Sequence, residues 1–107
     1  MLGEFEQIVL LAVARQGEEG YGVTIRQEIE RRTGRGVSLG AVYATLVRLE
    51  DKGLIASRDG EATPIRGGRA RRHYRLKPSG ARALRVSRVM LDRMWEGVEL
   101  GVKPERA

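Results

Sequence analysis

The sequence predicts a mainly α fold with one small β-hairpin, and three observations carry that prediction. Apolar residues recur at helical spacing in three stretches within the first 53 residues, each closed by a glycine. The pattern then changes to short β-like runs on either side of a glycine-rich turn. It ends in a longer helical stretch that bears two apolar stripes and the only tryptophan.

Each element has its own justification. Residues 4–15 present Phe5, Ile8, Val9, Ala12 and Val13 on one face, and Gly17 follows where a left-handed cap would sit. Leu10 and Leu11 widen this apolar surface, which predicts a largely buried helix. Residues 21–33 place Ile25 and Ile29 four apart, with Arg26, Glu30 and Arg31 on other faces, and stop at Gly34. After Gly34-Arg35-Gly36, Ser38 can cap a third helix whose Leu39, Val42, Leu46 and Leu49 form one stripe, ended by Gly53. From Leu54 to Arg58 runs a short strand, turned by Asp59-Gly60. Pro64 and Gly67-Gly68 mark a flexible tip, and residues 70–76 resume as a strand with Arg72, Tyr74 and Leu76 at alternate positions. Pro78 and Ser79 open the last helix, in which Leu84, Leu91 and Val98 repeat at seven residues beside a stripe of Val86, Met90 and Met94.

At 107 residues the chain has room for one small domain with an appendage, and a core of that size gains from a partner's surface. The absence of cysteine removes disulfides, thiolate metal sites and thiol nucleophiles. The start, Met-Leu-Gly-Glu-Phe-Glu, has no basic leader, and no run approaches the ~20 apolar residues that span a bilayer. A cytoplasmic protein with no membrane partner is the expectation. The formal net charge is +6, but from Arg58 to Arg93 eleven Arg and Lys face three acids, so that segment carries +8 and the rest about −2. A basic stretch so concentrated suits a phosphate backbone, although a solvated basic face would look the same.

Three helices, strand, wing and strand are the order of a winged helix-turn-helix, in which the third helix enters the major groove of double-stranded DNA and the hairpin reaches phosphates. On this reading the third helix offers Ser38, Gly40, Ala41, Tyr43, Ala44, Thr45 and Arg48 on the side opposite its apolar stripe. Small residues allow close backbone approach, a helix N-terminus favours phosphate, and Tyr43 can donate to a phosphate or pack on a thymine methyl. The plainer alternative makes Tyr43 a packing aromatic and Arg48 a surface charge paired with Glu50 or Asp51. In the wing, Arg66, Arg69, Arg71 and Arg72 lie in or beside the tip, where guanidinium groups can find phosphates. His73, the only histidine, is a strand residue on this reading, since a lone His makes a poor case for metal or acid–base chemistry. Gly67-Gly68 lacks both a P-loop lysine and dinucleotide-binding spacing, so it reads as a turn.

The ordered set Gly20-Tyr21-Gly22, Gly40-Ala41-Val42-Tyr43 with Leu46, Arg48-Leu49-Glu50, Gly53-Leu54-Ile55, Gly68-Arg69-Ala70-Arg71-Arg72 and Tyr74-Arg75-Leu76 resembles the PadR family of bacterial transcriptional regulators. The resemblance runs from Leu2 to about Leu100. It implies a homodimeric winged-helix repressor of the smaller subfamily, in which a single C-terminal helix dimerises. It also puts Tyr21 and Tyr43 at backbone- or groove-contacting positions and the basic wing beside phosphates. Two departures stand out: Ala41, where the family often has Ser or Thr, and Ala44, where Pro usually follows the tyrosine. The domain reading is therefore a DNA-binding winged helix over residues 1–77, a dimerisation helix over 78–100 and a disordered tail over 101–107.

Trp95, flanked by Met90, Leu91, Met94 and Val98, with Leu84 further back, reads first as an interface anchor. The resemblance adds that a flat hydrophobic compound could stack against it at a dimer centre, and methionines suit an adaptable apolar pocket. Arg82, Arg85, Arg88 and Arg93 either flank such a pocket or solvate the helix. No cofactor is implied. Two rivals remain at this stage: a winged helix used for protein–protein interaction, and a sequence-indifferent nucleic-acid binder. An enzyme is the weakest reading, because no activated nucleophile, metal cluster or carboxylate pair can be assembled.

Overall fold

A computed structural model describes residues 2–60 and 71–101. The predicted fold class is observed: helix α1 (Glu4–Arg15), helix α2 (Gly22–Thr33), helix α3 (Leu39–Asp51), strand β1 (Ile55–Asp59), strand β2 (Arg72–Leu76) and helix α4 (Pro78–Trp95). The wing tip with Arg66 and Arg69, and the tail beyond Gly101, lie outside the described residues.

Local chemistry sets the helix ends. The Gly3 N–H donates to Glu6 Oε1 at 3.0 Å, satisfying one of the free donors at the start of α1. Lys52 Nζ donates to the other oxygen of the same carboxylate at 2.7 Å, tying the end of α3 to the first turn of α1. These two bonds, the Lys52 one foremost, hold the Glu6 carboxyl below the usual carboxylate range. Before α2, the Tyr21 N–H donates to Thr24 Oγ1 at 3.0 Å. At its far end Gly34 adopts φ +68°, a left-handed conformation that costs a side chain-bearing residue about 1 kcal/mol.

The core lies where α1, α2 and α3 converge on the hairpin. Val9, Leu10, Val13, Ile25, Val42, Leu46, Leu49 and Ile55 are fully or almost fully buried, with Ile29 and Tyr74 close behind. The strands pair antiparallel from Ile55–Leu76 to Asp59–Arg72. Among the described residues one further bridge, Gly20 to Tyr74, extends the hairpin, with the Tyr74 N–H donating to the Gly20 carbonyl at 2.9 Å. Burial pushes the Tyr74 phenol above its ordinary range.

One expectation about burial needs correcting, and one buried charge was not foreseen. Leu11 is half-exposed, because it lines an open cleft between α1 and α2. Glu28, on α2, is 93% removed from solvent at its own position (7% exposed), a carboxylate that the helical pattern had left unremarked. It is kept ionised there by the guanidinium of Arg32 at 3.0 Å and by that of Arg31, and the Arg32 bond lowers its pKa.

The N-terminus of α4 is pinned to the hairpin. Ser79 Oγ donates to the Gly53 carbonyl at 2.6 Å, the Lys77 N–H donates to the Leu54 carbonyl at 3.0 Å, and a Cβ at Gly80 would collide with that same carbonyl and with Leu76. Only glycine lets the helix approach so closely. The helix then leaves the body, and the molecule spans 61 × 36 × 19 Å.

Candidate nucleic-acid interface

The free face of α3 begins at its cap. Ser38 Oγ accepts from the Ala41 N–H at 3.1 Å, which satisfies one N-terminal donor and leaves others facing outward. Gly40, Ala41, Tyr43 and Ala44 are exposed along this first turn and a half, and a Cβ at Gly40 would meet nothing. Partial positive charge at a helix N-terminus and an absence of bulky side chains suit the close approach of an anionic backbone.

Tyr43 is 43% exposed, yet its ring has a seat: it lies so close over Gly22 that any Cβ there would overlap the ring. A glycine at the first position of α2 is thus what lets the tyrosine lie down across the helix start. Packing and exposure coexist in this residue, so the two readings of Tyr43 are complementary.

Thr45 does not belong on the free face. It is 1% exposed, its hydroxyl donates to the Ala41 carbonyl at 2.8 Å, and it accepts from Arg48 NH2 at 3.0 Å. Position 45 sits three residues after Val42 and next to Leu46 on the helical wheel, so it turns inward at the margin of the apolar stripe. Its contribution is to hold Arg48, whose guanidinium is oriented by this bond and by no ion pair with Glu50 or Asp51 among the described residues. Val47, 57% exposed on the outward side, was not singled out by the sequence pattern. Its exposure is the signal that it shares the face with Tyr43 and Ala44, four and three residues earlier.

The wing meets this face through the segment from Glu19 to Gly22. Tyr21, half-buried at the N-cap of α2, packs edge-on against His73 with ring centroids 5.7 Å apart. The Arg71 guanidinium carbon stands 4.5 Å from the centre of the Tyr21 ring. His73 Nδ1 lies 2.8 Å from the Glu19 carbonyl, to which it donates. The histidine therefore fastens the wing to the body, a role the sequence did not indicate. Arg72 pairs with Asp59 at 3.5 Å across the hairpin, and Arg58 with Glu19 at 3.3 Å. Both pairs are solvent-exposed and worth little in stability. Among the described residues Arg71 has no carboxylate partner.

A second surface lies on α4. Val86, Val89, Met90, Leu91, Met94 and Trp95 are all exposed, as are Val98 and Leu100 beyond the helix. Two of the residues expected here behave differently. Leu84 is half-buried against the chain's own core, because the first two turns of α4 still lie on the body. Val98 is not helical: the helix ends at Trp95 and Gly97 turns left-handed at φ +75°, so the seven-residue repeat breaks before its third member. A shallow apolar groove follows Arg85, Val86, Val89, Met90, Arg93 and Met94, and another lies among Met94, Trp95, Val98 and Leu100.

No helix among the described residues is long and apolar enough to cross a membrane, and none of their His, Asp and Glu side chains form a cluster of three that could hold a metal. Comparison with known proteins agrees with the geometry. The transcriptional regulator Rv3488 of Mycobacterium tuberculosis is 41% identical over 76 residues, a match that spans 71% of this chain and 66% of that protein, just short of two thirds. A solved transcriptional regulator from Clostridium thermocellum superposes with a TM-score of 0.72 at 25% identity, over 92% of each chain. Bacillus subtilis PadR, solved in complex with operator DNA, shares the fold with a TM-score of 0.64 at 19% identity, over 97% of this chain and 52% of that one. The sequence pattern of the transcriptional regulator PadR-like family matches residues 10–86, from the middle of α1 through the wing to the third turn of α4, and the chain belongs to that family.

Proposed function

We propose that this regulator is a homodimeric DNA-binding repressor acting in the cytoplasm, with residues 1–77 reading DNA and residues 78–100 dimerising. The observation that carries the reading is the open N-terminal face of α3, where Ser38, Gly40, Ala41, Tyr43 and Ala44 stand exposed and connect through Tyr21 to a basic wing. In this reading α3 enters the major groove, Tyr43 contacts backbone or base, Arg48 reaches a flanking phosphate, and Arg66, Arg69, Arg71 and Arg72 neutralise phosphates. Thr45 acts through Arg48. Bacillus subtilis PadR, which has the same fold, was solved in complex with operator DNA, and this supports DNA as the partner. The family consists of transcriptional regulators, and no enzymatic role is assigned.

Dimerisation is supported by α4. A run of exposed apolar side chains from Val86 to Trp95, continued by Val98 and Leu100, is more than a monomer in water usually leaves uncovered. A second copy presenting the same self-complementary face is the simplest cover. The two α3 helices would then address half-sites about 34 Å apart. A ligand-sensing role rests on the groove beside the exposed Trp95: two such grooves brought together would leave an apolar slot between indoles, suited to a flat hydrophobic molecule.

Binding to the chain's own upstream DNA and to a random duplex of equal length, measured across a salt series, tests the reading. Tighter binding to the upstream DNA that weakens steeply with salt is the expected result. Equal binding to both would point to a sequence-indifferent binder, and binding to neither would favour a protein-interaction module.

A further inference from the structure

The notable contact outside the recognition helix is the one between Tyr21 and Arg71. They are fifty residues apart in sequence and come from different elements, the start of α2 and the foot of β2, yet the guanidinium lies over the ring at 4.5 Å. Neighbouring arginines are occupied: Arg58 with Glu19 and Arg72 with Asp59. The ring itself is steadied from its edge by His73, which the Glu19 carbonyl holds. On the other side of the same short segment, Gly22 seats Tyr43.

We propose that Tyr21 and Arg71 form a single phosphate-binding unit, in which the tyrosine ring holds the guanidinium flat so that its N–H edge meets a DNA phosphate beside the α3 face. The proposal rests on the DNA-binding reading above and refines it: Tyr21 is a positioning residue, and Arg71 makes the contact. Three physical points support this. A guanidinium whose carbon lies over a ring at 4.5 Å is held by the ring face and can still offer N–H donors along its edge to a phosphate. This contact also removes rotamer freedom before DNA arrives, so less entropy is lost on binding. Finally, Gly20-Tyr21-Gly22 connects the unit to Tyr43, placing the phosphate contact at a set distance from the groove-entering helix.

A double-mutant cycle in DNA binding tests this, using Arg71→Ala, Tyr21→Leu and the pair, with Tyr21→Phe as a control that keeps the ring. Thermal melts establish that each variant is folded. Arg71→Ala should weaken binding to upstream and random duplexes alike, by about tenfold, and reduce the slope of log affinity against log salt by about 0.9, the value for one phosphate. Tyr21→Leu should weaken binding about fivefold when Arg71 is present and not at all when it is absent, while Tyr21→Phe binds as the parent does. If the losses multiply instead, or if Arg71→Ala leaves the salt slope unchanged, the unit does not exist. A parent protein that binds neither duplex overturns the DNA-binding reading itself, which is a separate result from multiplicative losses in a protein that binds.

Discussion

Helices α3 and α4 both carry an apolar stripe, and the two stripes meet opposite fates. On α3, Val42, Leu46 and Leu49 are completely buried, because α1, α2 and β1 offer a surface for them in the same chain. On α4 the first turns are pinned by Ser79, Gly80 and Leu84, and the remainder leaves Met90, Leu91, Met94 and Trp95 in solvent. The comparison teaches that an apolar stripe specifies a surface to be covered and says nothing about which chain supplies the cover. It also divides the molecule by function: the buried stripe holds up a reading face, and the open one is the proposed contact with a second copy.

Four experiments would sharpen or break that division. Leu46→Ala should cost the most, about 3 kcal/mol, from lost burial and the cavity left behind, and denaturant unfolding should show the same loss at every protein concentration. Gly22→Ala comes next. A Cβ there must displace the Tyr43 ring, at a cost of about 2 kcal/mol, and replacing Tyr43 with alanine in the same chain should recover most of it. If Gly22→Ala melts like the parent, the ring is not seated as described.

Met94→Glu should leave the helices intact by circular dichroism and raise the dimer dissociation constant at least tenfold, about 1.4 kcal/mol, when measured by sedimentation. Unchanged association would remove α4 from the interface. The smallest effect is expected at Glu6, bonded to Lys52 and to the Gly3 amide. Because its folded pKa lies below the ordinary 4.5, its contribution is present above that value and fades as pH falls through the lower folded value. Glu6→Gln should therefore lose about 0.5–1 kcal/mol at pH 7 and progressively less as the pH falls below 4.5, read from melts across that range. A loss that does not shrink as the pH falls would mean that the carboxylate's charge is not what matters.

Much of the fold was determined by the sequence alone. The helix bounds came from periodicity and from Gly17, Gly34 and Gly53, which take up the positive φ angles their positions suggested. Ser38 caps α3 and Pro78 opens α4, as their chemistry favours. Such signals are local: they depend on a few bonds along one chain, and a residue's neighbours in sequence are enough to evaluate them.

What only the tertiary structure decided involves partners distant in sequence. Thr45 proved a buried support for Arg48 because its position at the margin of the stripe could turn either way until α1 and α2 were packed. Leu84 turned inward and Val98 fell beyond the helix, since a seven-residue repeat does not say where the body ends or where Gly97 breaks the backbone. The tie of His73 to Glu19, the Arg71 guanidinium over Tyr21 and the seat of Tyr43 on Gly22 join residues 21 to 54 positions apart. Contacts of that kind leave no periodic trace in a sequence, because they are created by the approach of elements whose own signals are already complete without them.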